Sequence, residues 1–114
     1  MEHRHFPRKP VDVAVQLSTI HGKTYDARLL ELSAIGMRIV LQEVLPERVK
    51  LVDVFLPRMD QNGDSPYRRL RMFVARRDEC VLGLCLVNER TRIDVDRYQL
   101  CTTSFFKGYR LVNQ

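Results

Sequence analysis

Hydrophobic and polar residues alternate along most of the first 87 residues, which is the pattern of half-buried β-strands. In the first run, Val11, Val13, Val15 and Leu17 share one face and polar or small residues occupy the other. Turn-forming residues separate this run from five others. The six predicted strands cover residues 11–17, 25–32, 36–41, 49–56, 70–75 and 80–87. The chain is therefore mainly β.

Two irregularities refine this prediction. The alternation slips by one residue between Leu29 and Leu32, as it does at a β-bulge. The stretch from 59 to 66 is dense in turn formers and predicts an exposed loop. From Asp94 the period changes to three and four, which predicts a C-terminal helix over 94–107, with Gly108 at its C-cap.

Short strands followed by one helix predict a six-stranded antiparallel β-barrel with a C-terminal α-helix. At 114 residues the chain is long enough for one domain with one core. We divide it into a flexible basic arm (1–10), the barrel (11–87) and the helix (94–107).

Net charge and cysteine content indicate which partners and which cellular compartment the protein has. A net charge of +5 favours an anionic partner. The three cysteines form no disulfide-framework spacing and are interpreted as free thiols in a reducing cytoplasm. The longest apolar run, at 81–87, is too short to cross a bilayer. The sequence thus predicts a cytoplasmic protein without membrane insertion.

The sequence shows no arrangement of residues that is typical of a catalytic site or a metal site. The histidines His3, His5 and His21 all lie in the arm or in a turn, with no nucleophile placed beside them. The stretch 60–64 begins like a calcium loop, but Ser65 occupies the position that requires glycine. We therefore expect neither catalysis nor a metal site.

The arm carries the first candidate binding residues. Residues 4–10 read Arg-His-Phe-Pro-Arg-Lys-Pro, with three fixed positive charges, one aromatic ring and two prolines. Proline fixes φ and removes a backbone donor, which favours an extended conformation. The guanidinium groups of Arg4 and Arg8 suit a planar, bidentate partner such as a phosphate or a guanine edge.

The second candidate is Glu31-Leu32-Ser33-Ala34-Ile35-Gly36, between the second and third strands. Gly36 permits close approach of a ligand or a backbone, and Ser33 can donate or accept a hydrogen bond. The Glu31 carboxylate accepts hydrogen bonds. The same residues are also typical of a plain β-bulge and turn, so both interpretations stay open.

Together these two stretches resemble the PilZ domain, the bacterial receptor module for cyclic di-GMP. The arm has the family's R-x-x-x-R form, and residues 31–36 nearly have its [D/N]-x-S-x-x-G form, with Glu31 in place of Asp or Asn. The stretch 81–86 looks like the family's glycine-bearing strand. The resemblance covers about residues 3–107.

The resemblance implies a ligand and a set of contacts. Arg4 and Arg8 would grip cyclic di-GMP. Glu31 and Ser33 would hydrogen-bond a guanine, and Gly36 would let the ring lie against the backbone. Secondary candidates near the motifs are His3, His5, Lys9 and Arg38.

Three functions remain open. The first is a cyclic di-GMP receptor, monomeric or homodimeric, whose arm becomes ordered on binding and signals to a protein effector of motility, exopolysaccharide or pili. The second is a PilZ-like protein-interaction module without nucleotide binding, which Glu31 favours. The third is a small basic barrel that binds single-stranded nucleic acid. We do not favour it, because the aromatic residues Tyr25, Phe55, Tyr67 and Phe73 look dispersed between core and strand ends.

Overall fold

The fold is a closed antiparallel barrel of six strands, seen in a computed structural model that describes residues 6–58 and 66–98. The strands are β1 (Lys9–Thr19), β2 (Thr24–Leu32), β3 (Gly36–Leu41), β4 (Leu51–Pro57), β5 (Tyr67–Asp78) and β6 (Val81–Leu86). Their order around the barrel is β1-β2-β3-β6-β5-β4. One helical turn, α1, spans 95–98. The predicted fold class is confirmed; residues 99–107 of the predicted helix and 59–65 of the predicted loop lie outside the described part.

The core fills the inside of the barrel with alternate residues of every strand. Residues with an exposed fraction of 2% or less come from all six strands and include Val13, Leu17, Leu29, Ile39, Val54, Leu56, Leu70, Met72, Leu82 and Leu84. Ile93 and Tyr98, on the segment that follows β6, are also buried against this core. The segment 92–98 is thereby packed against one end of the barrel.

The predicted slip in the second strand is a β-bulge. Leu29 pairs with Ile39 but Glu31 pairs with Arg38, so Leu30 is the additional residue. Because the bulge shifts the alternation, Leu29 and Leu32 both face the core while Glu31 stays partly exposed. A second irregularity lies between Val74 and Arg76 of β5 and shifts the register of its pairing with β6 by one residue.

The first strand begins two residues earlier than the alternation predicts. Lys9 and Pro10 pair with Leu32 and Glu31, so they belong to β1 and not to the arm. Proline is tolerated there because the pairing of β1 with β4 begins only at Gln16. The arm in the described chain is therefore Phe6 to Arg8.

The other differences concern strand length. The fourth strand starts at Leu51 and not at residue 49, because the Val49 amide donates to the Pro46 carbonyl in a turn. The fifth strand is longer at both ends than its apolar pattern indicates, since β4 and β6 pair with its arginine-rich ends. No helix in residues 6–58 and 66–98 is long and apolar enough to span a membrane.

Candidate functional site

Three of the candidate side chains meet at one end of the barrel. Arg8 lies just before β1, Glu31 at the end of β2 and Arg38 on β3. The Arg8 Nη1 and Arg38 Nη1 atoms each lie 3.9 Å from a different carboxylate oxygen of Glu31. About half of each guanidinium side chain is exposed, against 34% of Glu31. We call these three residues the arginine cluster.

Strand register explains the cluster. Glu31 stands between Pro10 of β1 and Arg38 of β3 in the paired strands. The bulge at Leu30 places the Glu31 side chain on the outer surface, beside Arg38. Arg8 approaches from the chain that leads into β1. The cluster therefore depends on the bulge that the sequence predicts.

The other predicted residues are placed differently. The Lys9 ammonium lies 3.2 Å from Asp96 Oδ1, on the C-terminal segment, and not beside Glu31. His3, Arg4 and His5 lie outside the described residues. Of the secondary candidates in the described chain, Arg38 belongs to the cluster and Lys9 does not.

Ser33 is buried and is used within the turn between β2 and β3. Its hydroxyl oxygen accepts hydrogen bonds from the amides of Gly36 at 3.0 Å and Ile35 at 3.4 Å. Its own amide donates to the Gly36 carbonyl at 2.9 Å. These bonds fit the plain turn interpretation of the motif, and they fix the position of Glu31 and Gly36 on either side of it.

Gly36 is required by the contact between β3 and β6. A Cβ atom at this position would lie 2.7 Å from the Leu84 carbonyl oxygen, closer than real side chains approach. The sequence predicts that Gly36 permits close approach of a ligand or a backbone. In the structure, the backbone of β6 makes this approach.

An open cavity of about 470 Å³ lies beside the arginine cluster. Arg8 and Arg38 line it from one side, Arg76 from β5, and Gly83 and Cys85 from β6. The volume falls within the range of small-molecule sites. Arg77 and Asp78 also line the cavity, so four arginines face one carboxylate there, which suits an anionic, planar ligand.

Sequence reasoning missed Arg76 and Cys85. Arg76 faces Gly83 only because the irregularity after Val74 shifts the register of β5, and no sequence pattern shows that shift. Partial burial raises the pKa of the Cys85 thiol above its ordinary value, and the nearby Arg8 partly opposes that rise. The thiol is therefore mainly protonated at neutral pH.

Arg77 also contacts this cavity but serves the neighbouring loop. Its guanidinium donates to the carbonyl oxygens of Leu45, at 2.8 Å, and of Val49. It therefore anchors the connection between β3 and β4. Among the described residues, no group of three or more His, Cys, Asp or Glu side chains is arranged to hold a metal ion.

Comparison with known proteins gives no family assignment. No protein-family model matches the chain, and no curated protein matches it. The residues and the geometry of the cavity therefore carry the functional argument.

Proposed function

We propose that this protein is a cyclic di-GMP receptor that acts as an adapter toward a protein effector. The observation that carries the proposal is the arginine cluster at the edge of the 470 Å³ cavity, with Glu31 between Arg8 and Arg38. The two sequence stretches that resemble the PilZ motifs meet there in space, through Arg8 from one and Glu31 from the other.

The cluster has the chemistry that a cyclic dinucleotide requires. The Arg8 and Arg38 guanidinium groups are half exposed and contact Glu31 only at 3.9 Å, so they are free to turn toward a ligand phosphate. Guanidinium forks also match the O6 and N7 atoms of guanine and stack on purines. The Glu31 carboxylate would accept hydrogen bonds from the N–H groups of a guanine edge.

Ser33 and Gly36 take supporting roles in this proposal. Since the Ser33 hydroxyl is bonded within the turn, it positions Glu31 and would reach a ligand only if the turn opened. Gly36 lines the cavity and, because it has no side chain, takes up no side-chain volume there. Arg4 keeps the ligand-gripping role that the family resemblance implies.

The arm is the part of the receptor that would change. We expect ligand phosphates to draw Arg8 away from Glu31 and to fold residues 1–8 over the cavity, which alters the surface shown to an effector. Limited proteolysis tests this step: the arm should be cut more slowly at saturating ligand. Equal cutting with and without ligand contradicts it.

Glu31 also supports the second candidate, a PilZ-like module without nucleotide. Its carboxylate neutralises part of the positive charge of both arginines. A shorter or uncharged side chain at position 31 would leave both guanidinium groups available to pair with the phosphates of a ligand. Variants at position 31 therefore separate the two candidates.

The test is calorimetric titration of cyclic di-GMP into wild type, Arg8→Ala and Arg48→Ala. Arg48 is an exposed arginine in the connection from β3 to β4 that does not line the cavity, and is the matched control. We expect micromolar or tighter binding by wild type and Arg48→Ala and its loss in Arg8→Ala. A fourth titration uses Glu31→Asn.

The outcomes are distinct. Binding by Glu31→Asn but not by wild type would assign the natural protein to the module without nucleotide. No heat from either protein would contradict the receptor proposal. Equal binding by wild type and Arg8→Ala would place the ligand outside the arginine cluster.

A further inference from the structure

The outer surface of β4 and β5 gathers three of the four aromatic side chains that look dispersed in the sequence. The outward cross-strand pairs are Leu51–Phe73, Asp53–Arg71, Phe55–Arg69 and Pro57–Tyr67. We call this surface the β4–β5 face. Phe73 is 42% exposed and Tyr67 50%, whereas Tyr25 is buried in the core. The expectation that these residues lie in the core or at strand ends is confirmed for Tyr25 and for Tyr67, the first residue of β5, and is wrong for Phe55 and Phe73.

Aromatic and arginine side chains interleave along this face. Successive outward pairs on a strand lie about 7 Å apart. Tyr67 and Phe55 occupy neighbouring pairs, and Phe73 lies two pairs beyond Phe55. Arg69 stands beside Phe55, and Arg71 separates it from Phe73. Such alternation presents flat rings for stacking and guanidinium groups between them.

The charge of the face favours an anionic partner. At the outward positions of the face, two arginines, Arg69 and Arg71, stand beside one carboxylate, Asp53. Arg71 donates to both Asp53 oxygens, at 2.8 and 3.0 Å, so its charge is partly neutralised. The connecting loop adds Asp60 and Asp64 in sequence. A polyanion would therefore run across Arg69 and Arg71.

A second groove continues the face onto neighbouring strands. It has a volume of about 650 Å³, and its lining includes Tyr67, Gln16, Asp26, Arg28 and Gln42. The Gln16 amide donates to Asp26, and the Arg28 guanidinium pairs with Asp12. Gln16 is the cross-strand partner of Phe55, which joins the groove to the aromatic residues. An exposed amide such as that of Gln42 can hydrogen-bond a base edge.

We propose that the β4–β5 face binds single-stranded nucleic acid, with bases stacked on Phe55, Tyr67 and Phe73 and phosphates along Arg69 and Arg71. Proteins that bind single strands without sequence preference combine a basic groove with aromatic stacking platforms. This activity goes beyond the receptor function, because it uses β4 and β5 and none of the residues of the arginine cluster. A protein partner is the competing occupant of the same face, and the test below discriminates against it.

The experiment is a fluorescence-anisotropy titration of labelled single-stranded oligonucleotides, oligo-dT and oligo-rU, with a duplex of the same length for comparison. Phe73→Ala and Arg69→Ala are the test variants. Val44→Ala and Arg48→Ala are matched controls, since both residues are exposed and lie in the connection between β3 and β4. Each titration is repeated at several salt concentrations.

We expect wild type to bind single strands more tightly than duplex. Phe73→Ala should weaken binding about 5-fold to about 100-fold, the contribution of one stacked base. Arg69→Ala should reduce the slope of log K against log salt by about 0.7, the value for one phosphate contact on a single strand. Asp53→Asn should strengthen binding, because it releases the Arg71 guanidinium.

Three results would overturn the proposal. Equal losses in Arg69→Ala and Arg48→Ala would show only the general attraction of a basic protein. Unchanged binding in Phe73→Ala would exclude stacking. Failure of wild type to bind either single strand at low salt would leave the face to a protein partner. Circular dichroism of each variant ensures that a lost signal is not a lost fold.

Discussion

At the scale of single residues, Ser33 and Gly36, at the turn between β2 and β3, both stabilise the fold in the absence of any ligand. The Ser33 hydroxyl holds the amides of Ile35 and Gly36, and Gly36 lets the Leu84 carbonyl come close. Among the described residues of the two sequence motifs, Arg8 and Glu31 direct their charged groups outward. A loss of ligand binding in a Ser33 or Gly36 variant is therefore ambiguous until stability is measured.

Replacement of Gly36 by alanine should destabilise the protein without any ligand. The new Cβ would lie 2.7 Å from the Leu84 carbonyl oxygen, a backbone atom that cannot move alone. Such overpacking costs about 1–3 kcal/mol in the free energy of unfolding. Denaturant unfolding followed by circular dichroism measures it.

Gly83→Ala provides the matched control. There the added Cβ would meet the Arg76 Cβ at 3.4 Å, which is an ordinary van der Waals distance. We expect a smaller loss than for Gly36→Ala. If both variants lost the same stability, the contact with Leu84 would not be the reason for the glycine.

At the scale of secondary structure, β4 and β5 are joined on their outer surface by the Asp53–Arg71 ion pair. The Arg71 guanidinium donates two hydrogen bonds to the carboxylate and holds the pKa of Asp53 below its ordinary value of 3.8. A carboxylate with a lowered pKa stabilises the fold above the pKa of the unfolded chain. That stabilisation is lost as the pH falls through the lowered value.

Asp53→Asn should therefore lower the melting temperature at pH 7, and the difference from wild type should shrink as the pH falls through the lowered pKa of Asp53. Thermal unfolding across the acidic range measures the effect. Asp26→Asn is the control, since Asp26 accepts a hydrogen bond from the neutral Gln16 amide and pairs with no cation among the described residues. A difference for Asp53→Asn that persisted unchanged at low pH would mean that lost packing, and not charge, was responsible.

The strands could be predicted because alternation follows from burial of one face, and the bulge at Leu30 because it breaks that alternation. The β4–β5 face could not. The alternation of Leu70 and Met72 with Arg71 and Phe73 puts Phe73 outside the core, but only cross-strand register places Phe55 of β4 between Tyr67 and Phe73 on the same face. Likewise, Arg76 reaches the candidate site through an irregularity in β5 that no sequence pattern shows. Local patterns determine strands, whereas sites depend on how separate strands align.

At the scale of the whole molecule, the arm and the C-terminal segment meet beside the candidate site. The Arg92 guanidinium lies 4.7 Å from the centre of the Phe6 ring, and Lys9 pairs with Asp96. The Ile93 amide donates to the Ala34 carbonyl at 2.9 Å, within the turn that carries Ser33. Segment 92–98 therefore contacts both sequence motifs at once, so it is placed to respond to any movement of the arm.

Arg92→Ala should loosen the arm because it removes the cation–π contact with Phe6. We expect faster hydrogen exchange in the N-terminal peptide that includes the start of β1, measured by mass spectrometry at neutral pH. Arg90→Ala is the matched control, an exposed arginine two residues away. The buried Ile93 should keep segment 92–98 in place in both variants, so exchange of that segment should change little.

Equal exchange of the N-terminal peptide in the two variants would show that the contact with Phe6 does not hold the arm. Faster exchange in Arg92→Ala alone would show that it does, and a change in segment 92–98 on addition of cyclic di-GMP would then identify the C-terminal segment as the part of the molecule that relays ligand binding.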